Sequence, residues 1–268
     1  MANTVYPNKV IEAKAKDILT TQINARSMMT IDTSLTQNAG MVKTINTYTY
    51  TGAAEEVAAG SGNSTRGSIS YVGKDYTVKM VQQAFDYLDE DFMKDPVIVD
   101  FGIKGATSVM TNDMTSKFYA ALATKNGATE LVKGITFAKG KALSYDVIVD
   151  AISELNLEDE SKIFIVIPNA WKAALRKDAD YKSAQMGEVI YNGQVGTICG
   201  IPVVATKALT DKAYVMTNEA VTLFLKKDVE VEQERDADKR KNSVYLRSCY
   251  VCALRDATKA CKITEAAS

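Results

Sequence analysis

Between Gly52 and Gly73 the chain carries Gly60, Gly62 and Gly67 among Ser61, Asn63, Ser64 and Ser68, with almost no large apolar side chain. On either side the β propensity is high. Val42, Ile45, Tyr48 and Tyr50 sit in a Thr-rich run before it, and Ile69, Tyr71, Tyr76, Val78 and Met80 alternate with polar residues after it. Two strands flanking a long Gly/Ser tip read as an extended hairpin. A ribbon of this composition has little to bury at its own centre, and two strands alone are only marginally stable in water. It is therefore covered by the rest of the chain or by a neighbouring subunit, unless the segment is a mobile surface loop.

Helical and mixed segments surround this ribbon. Val10, Ile11, Ala15, Ile18 and Ile23 recur near a helix period over residues 9–25, and a polar Ser/Thr-rich arm follows to Gln37. The strongest helix begins at Asp95 as N-cap with Pro96 in the first turn. It runs through Val99, Ile103, Ala106, Met110, Met114, Phe118 and Ala121 to Lys125, a rod of about 45 Å. Such a rod suits a broad, flat protein. Beyond the glycine-punctuated stretch from Gly134 to Gly140, Ser144 caps a helix with Val147, Ile148, Ala151, Ile152 and Leu155 on its buried face. Lys162 to Ile167 is a strand apolar on both faces, and Pro168 and Asn169 open a short helix with Trp171, Ala174 and Leu175. Short strands are expected near Val189, Val195 to Ile198, Ile201 to Ala205 and Ala213 to Met216. Between Lys226 and Lys241, 12 of 16 residues are charged, which marks an exposed or edge strand with Val229 and Val231 as its thin apolar face. Val244 to Leu254 is a last strand and Thr258 to Ser268 a short tail.

Composition removes several chemistries. The 268 residues include no histidine, so neither Ser-His-Asp nor Cys-His catalysis nor a histidine zinc site is available. Lys plus Arg is 32 and Asp plus Glu is 33, a near balance that argues against a dedicated nucleic-acid binder. Cys199, Cys249, Cys252 and Cys261 are too few for a disulfide scaffold. Cys249 and Cys252 form a Cys-x-x-Cys pair, but inside a β run residues three apart point to opposite faces, so structural thiols are expected. The glycines match neither phosphate-loop pattern. Asp89, Glu90, Asp91 and Asp95 could attract a divalent cation, although placement at a helix N-terminus explains them more simply. Arg235, Lys239, Arg240 and Lys241 alternate with Glu234, Asp236 and Asp238, which favours reciprocal ion pairing over a phosphate site. No secretory signal and no membrane-spanning run of apolar residues is apparent, so an intracellular protein is the default expectation. Catalytic, cofactor-binding and metal residues are each read as none.

The order of these elements resembles the major capsid proteins of tailed bacteriophages, of the Hong Kong 97 type. The supporting stretches are the hairpin Val42 to Met80, the helix Pro96 to Lys125, and IVIPNAWKAAL at Ile165 to Leu175. The most specific are GQVGTICGIPVVAT at Gly193 to Thr206 and YVMTNEAVTLFLKKDVEVEQERD at Tyr214 to Asp236. The resemblance implies an α+β fold divided into an N-terminal helix and arm (1–40), an extended loop (41–85), a spine helix with the first part of a peripheral domain (86–143), an axial domain (144–210), and a peripheral β return with a tail (211–268). It also implies a non-enzymatic role: pentamers and hexamers of the chain tile an icosahedral shell around double-stranded DNA. The expected partners are other copies of the chain, a separate scaffolding protein or none, a portal, decoration proteins and loosely held DNA, with no membrane. The setting would be the virion, assembled in the bacterial cytoplasm.

This chain departs from the prototype of that family in two respects. The capsid-like region starts almost at Met1, so a separate scaffolding protein, or none, is expected in place of the prototype's long removable scaffolding segment. No lysine lies between Lys43 and Lys74 to form the prototype's lysine–asparagine crosslink. Arg66 near the tip cannot replace it and is instead a candidate for an ion pair between subunits. Three other classes fit parts of the pattern: the shell of a cellular compartment holding protein cargo, a small histidine-independent α/β enzyme built on Ile163 to Leu175, and a secreted surface protein.

Overall fold

The computed structural model describes residues 11, 25–37, 39–126, 128–160, 162–184 and 196–266. The helix expected over residues 9–25 lies outside them except for Ile11, which is buried in the main core, and Ala25, where a single 3-10 turn to Met28 begins. The strand candidate at Val189 and the residue Val195 also lie outside.

From the arm onward the chain forms β1 (Thr30–Asp32), β2 (Val42–Thr51), β3 (Ser68–Thr77) and β4 (Lys79–Leu88), then α1 (Asp89–Lys94) and α2 (Ile98–Leu122). Two residue pairs, β5 (Lys125–Asn126) and β6 (Thr129–Glu130), lead into β7 (Lys133–Phe137) and α3 (Tyr145–Glu154). Next come β8 (Ile163–Pro168), α4 (Lys172–Lys177), α5 (Ala179–Ala184), β9 (Thr197–Ile198), β10 (Ile201–Thr206) and β11 (Lys212–Thr217). The chain closes with β12 (Val221–Asp236), β13 (Lys241–Leu254) and β14 (Ala260–Glu265).

Two sheets organise these elements. The first has the order β1-β12-β13-β4, with β1 parallel to β12 and the other pairs antiparallel. Helix α2 lies on one face of it and buries Val99, Ile103, Ala106, Met110, Met114, Phe118 and Ala121, the stripe its periodicity predicts. Thr107 and Thr111 share that buried face. Each hydroxyl donates to the carbonyl four residues back, Ile103 at 2.8 Å and Thr107 at 2.9 Å, so the helix satisfies its own buried polar groups. The second sheet has the order β7-β14-β11-β8-β10-β9. Ile163, Ile165 and Ile167 of β8 face α3 and its core, while Val166 faces the C-terminal end of α2. Both faces of that strand are covered, as its continuous apolar run requires. Tyr119 of α2 stacks on Tyr214 of β11, ring centroids 6.2 Å apart, where the two cores meet.

Several expectations are corrected. The long helix spans Ile98–Leu122, about 37 Å rather than 45 Å. Asp95 is not its N-cap: Val97 holds that position without a side-chain capping bond, and the Asp95 carboxylate instead accepts the Val97 N–H at 3.0 Å in a turn, with Pro96, ahead of the first regular helical residue. The acidic residues Asp89 to Asp91 form the separate helix α1. The run from Ile69 to Met80 is two strands: β3 ends at Thr77 and β4 turns away into the first sheet. The glycine-rich stretch after Leu131 contains strand β7, parallel to β14. The expected tail is β14 itself, inside the six-stranded sheet with Cys261 and Ile263 fully buried. That sheet thus takes strands from 133–137, 212–217 and 260–265, all outside residues 144–210. Ser144 occupies the N-cap position of α3 without making the capping bond. Asp178 makes it instead: one carboxylate oxygen accepts the Tyr145 N–H at 3.0 Å, and the other accepts the Asp180 N–H at the start of α5.

The accessible surface is 15995 Å², well above the roughly 11,500 Å² of a compact chain of this mass. The excess marks an extended body.

Gly102 faces Phe85 of β4, and a Cβ placed there would stand 2.6 Å from ring atom Cδ2; nothing lies within 4 Å of one placed at Gly105. Gly102→Ala is expected to be less stable than Gly105→Ala by about 1–3 kcal/mol, since overpacking opposes the same gain in helix propensity. Equal urea midpoints for the two variants would contradict this packing.

Candidate assembly surfaces

The β2–β3 ribbon is in register from Val42 opposite Thr77 to Thr51 opposite Ser68. Its two faces have different fates. Near the base, Ile45 and Tyr76 pack against a small core of Leu35, Val78, Phe224, Cys249 and Ala253 on the sheet face opposite α2. The Tyr76 hydroxyl donates to the Leu254 carbonyl at 3.2 Å. Further out, Tyr48 stands opposite Tyr71 and Tyr50 opposite Ile69, all on one face. These four side chains are 66–71% exposed, and the Tyr48 and Tyr71 rings are tilted at 42° to each other with centroids 6.1 Å apart. A second apolar stripe runs along the outer side of the helices: Met93 of α1, then Val97, Phe101 and Val109 at helical spacing. Met93 is 81% exposed and Phe101 77%. Large apolar side chains grouped this way mark contact surfaces.

The charged segment forms a third feature. The β12–β13 turn is held against α1 and β4 by Arg235 to Asp89 at 2.7 Å, Arg240 to Glu90 at 3.0 Å and Lys241 to Asp86 at 2.6 Å. Asn242 adds a hydrogen bond to the second Asp89 oxygen. The reciprocal pairing expected from the alternation of charges is therefore formed within the chain, and it uses carboxylates that the sequence alone offered as a cation site. Among the described residues, β12 has no partner strand on its outer side beyond Phe224; two register shifts against β13, at Leu225/Lys227 and Lys227/Glu230, and its charges mark this strand.

The remaining sequence candidates do not converge. Cys249 lies in the small core beside the ribbon base and Cys252 in the main core on the opposite face, where burial pushes its thiol up to about 12. Cys199 is exposed in the β9–β10 turn, in a left-handed conformation followed by Gly200. Cys261 is buried in the second core. Among the described residues no three His, Cys, Asp or Glu side chains are grouped to hold a metal ion, and no helix is long and apolar enough to cross a membrane. Arg66 is exposed on the ribbon tip. The sequence reading missed the helix stripe because Val97, Phe101 and Val109 interleave with the buried set on the same helix; the short i, i+4 step from Val97 to Phe101 was the available signal.

No family model matches the chain. It is 24% identical over 275 residues to the major capsid protein of Staphylococcus phage phiMR11, covering 98% of this chain and 94% of the relative. The capsid structure of cyanophage P-SCSP1u superposes with a TM-score of 0.68 at 12% identity, over 90% of this chain and 87% of that one. The chain has the phage-capsid fold. A virus-like particle from Pyrococcus furiosus shares it too, with a TM-score of 0.61 at 9% identity over 95% and 98% of the two chains.

The Arg235 and Asn242 hydrogen bonds hold the Asp89 carboxyl below its ordinary value of 3.8, and those from Lys241 and Ser243 do the same for Asp86. A depressed folded value means the contribution is complete above about 3.8 and is lost as pH falls through the lower folded values. The wild-type melting temperature is expected to fall more steeply below that point than that of an Asp86→Asn/Asp89→Asn variant. Superimposable acid profiles would show that these pairs do not stabilise the hairpin end.

Proposed function

We propose that this chain is the major capsid protein of a tailed phage, a structural and non-enzymatic subunit of an icosahedral shell of the Hong Kong 97 type around double-stranded DNA. The observation that carries this reading is the ribbon whose outer face is aromatic and bare, on a chain similar along nearly its whole length to a phage capsid protein. Residues 42–77 serve as the extended loop and α2 as the spine helix. The four-stranded sheet belongs to the peripheral domain, and the six-stranded sheet forms the axial domain near the capsomer centre.

In this reading the Tyr48, Tyr50, Ile69 and Tyr71 stripe of one copy covers the Met93, Val97 and Phe101 stripe of the next. A patch that meets a different patch is a heterologous contact, and such contacts close into rings when the rotation between successive copies closes. Pentamers and hexamers arise this way from one chain, and a closed lattice uses many weak contacts together. The near-balanced charge suits loose contact with packaged DNA. In this reading the particle uses a separate scaffolding protein or none, carries a portal, with or without decoration proteins, and assembles in the host cytoplasm.

The similarity to the Pyrococcus furiosus particle supports a second reading, a shell holding protein cargo. Negative-stain microscopy of purified particles, followed by nuclease treatment and extraction, separates the two: protected DNA supports the phage reading, and co-purified protein without DNA supports the other. Rings and shells absent under all assembly conditions, scaffold included, would overturn both.

Two further outcomes are expected. Tyr48→Ser/Tyr71→Ser should abolish shell formation while changing the folding stability of the subunit by less than about 0.5 kcal/mol, as for exposed positions generally; a large loss of subunit stability would mean the stripe is covered within one copy. Because the ribbon has no lysine between Lys43 and Lys74, denatured particles should run as monomers on a gel, and a covalent ladder would refute non-covalent closure.

A further inference from the structure

The segment between the ribbon strands, residues 52–67, contains no helix or strand, yet it has two internal fastenings. At its root the Tyr50 ring lies across Gly52 and Gly67: a Cβ on Gly52 would stand 2.6 Å from the tyrosine hydroxyl, and one on Gly67 would clash with the same atom. A Cβ on Gly52 would also stand 2.9 Å from the Gly67 Cα, so glycine lets the two backbone segments approach closely beneath that ring. At its far side the Glu55 carboxylate accepts the backbone N–H of Ser64 at 2.9 Å and that of Thr65 at 3.2 Å, together with both hydroxyls. Beyond these bonds, at the apex, the Ser61 N–H donates to the Ala58 carbonyl at 3.0 Å around Gly60, whose φ is +90°.

With Ser64 and Thr65 engaged inward, the tip presents small side chains, Val57, and one charge of each sign in Glu56 and Arg66, all exposed. It also continues the bare aromatic stripe, because Tyr50 belongs to both. We infer that residues 52–67 are a preformed docking knuckle for a second copy of this chain, latched by Glu55 before the copies meet. This rests on the shell reading above. A loop ordered only on contact would lose conformational entropy residue by residue at every contact in the lattice; a latched one has already lost it during folding. Small side chains let another backbone approach closely, and Arg66 and Glu56 supply the charge register. The hydrogen bonds, led by that of the Ser64 hydroxyl, hold the Glu55 carboxyl below its ordinary range, as expected for an anion already engaged.

The test uses the full chain and two variants that each remove one carboxylate from the tip, Glu55→Ala and Glu56→Ala. Amide hydrogen exchange on the unassembled subunit should show Ser64 and Thr65 protected in wild type and in Glu56→Ala, and exchanging at least about ten-fold faster in Glu55→Ala. In co-assembly with wild-type chains, Glu55→Ala should enter particles about ten-fold less well, with its body melting as wild type does. Unprotected amides in the wild-type subunit, or full incorporation of Glu55→Ala, would overturn the latch. Protected amides in a chain that never associates would overturn instead the shell reading, and with it a second copy as the partner of the knuckle.

Discussion

A two-stranded ribbon is one layer thick, so each of its faces needs its own cover. At the base that cover is the back of the first sheet, where Phe224, Cys249 and Ala253 meet Ile45 and Tyr76. The cover ends with the sheet. On the ribbon's other face, further out, Tyr48, Tyr50, Ile69 and Tyr71 stay exposed. The architecture follows from this division: a well-packed body that stabilises itself, and an arm whose apolar face remains for other contacts.

The body is built to hold the arm at a fixed angle. Strand β4 leaves the ribbon at Val78 and immediately joins β13, so the ribbon is anchored through a continuous strand ladder at the sheet's edge rather than a loose linker. Helix α2 then locks that strand, with Gly102 letting the helix backbone settle against Phe85. At the opposite end of β13 the Arg235–Asp89, Arg240–Glu90 and Lys241–Asp86 pairs hold the hairpin turn to α1. Individually such exposed pairs stabilise little, but together they fix the hairpin end beside the apolar helix stripe. Apolar packing supplies the stability, and charge supplies the orientation.

Much of this was legible because the periods are local. The α2 stripe from Val99 to Ala121, the doubly covered Ile163–Ile167 strand and the opposite facing of Cys249 and Cys252 follow from 3.6- and 2-residue repeats. The errors arose where local signals end. Strands β3 and β4 read as one because nothing in the residues around Val78 marks a change of sheet; the clue was that the apolar phase flips between Tyr71 and Tyr76. Strands β7 and β14 escaped notice because a short strand buried by distant partners carries few residues of pattern. The Asp178 cap on α3 comes from the junction between α4 and α5, and no spacing rule reaches across that distance.

The sequence by itself determined the strongly periodic elements, α2, α3 and β8, and their apolar faces, the absence of histidine chemistry, and the polar glycine tip. These are properties of neighbouring residues, set by backbone sterics and side-chain polarity. Only the tertiary structure decided which strands share a sheet, that the acidic residues before the long helix pair with the basic turn of β12 and β13, and which aromatic side chains stay bare. Those outcomes depend on which distant segments compete for the same partner, and that competition is settled by packing in three dimensions.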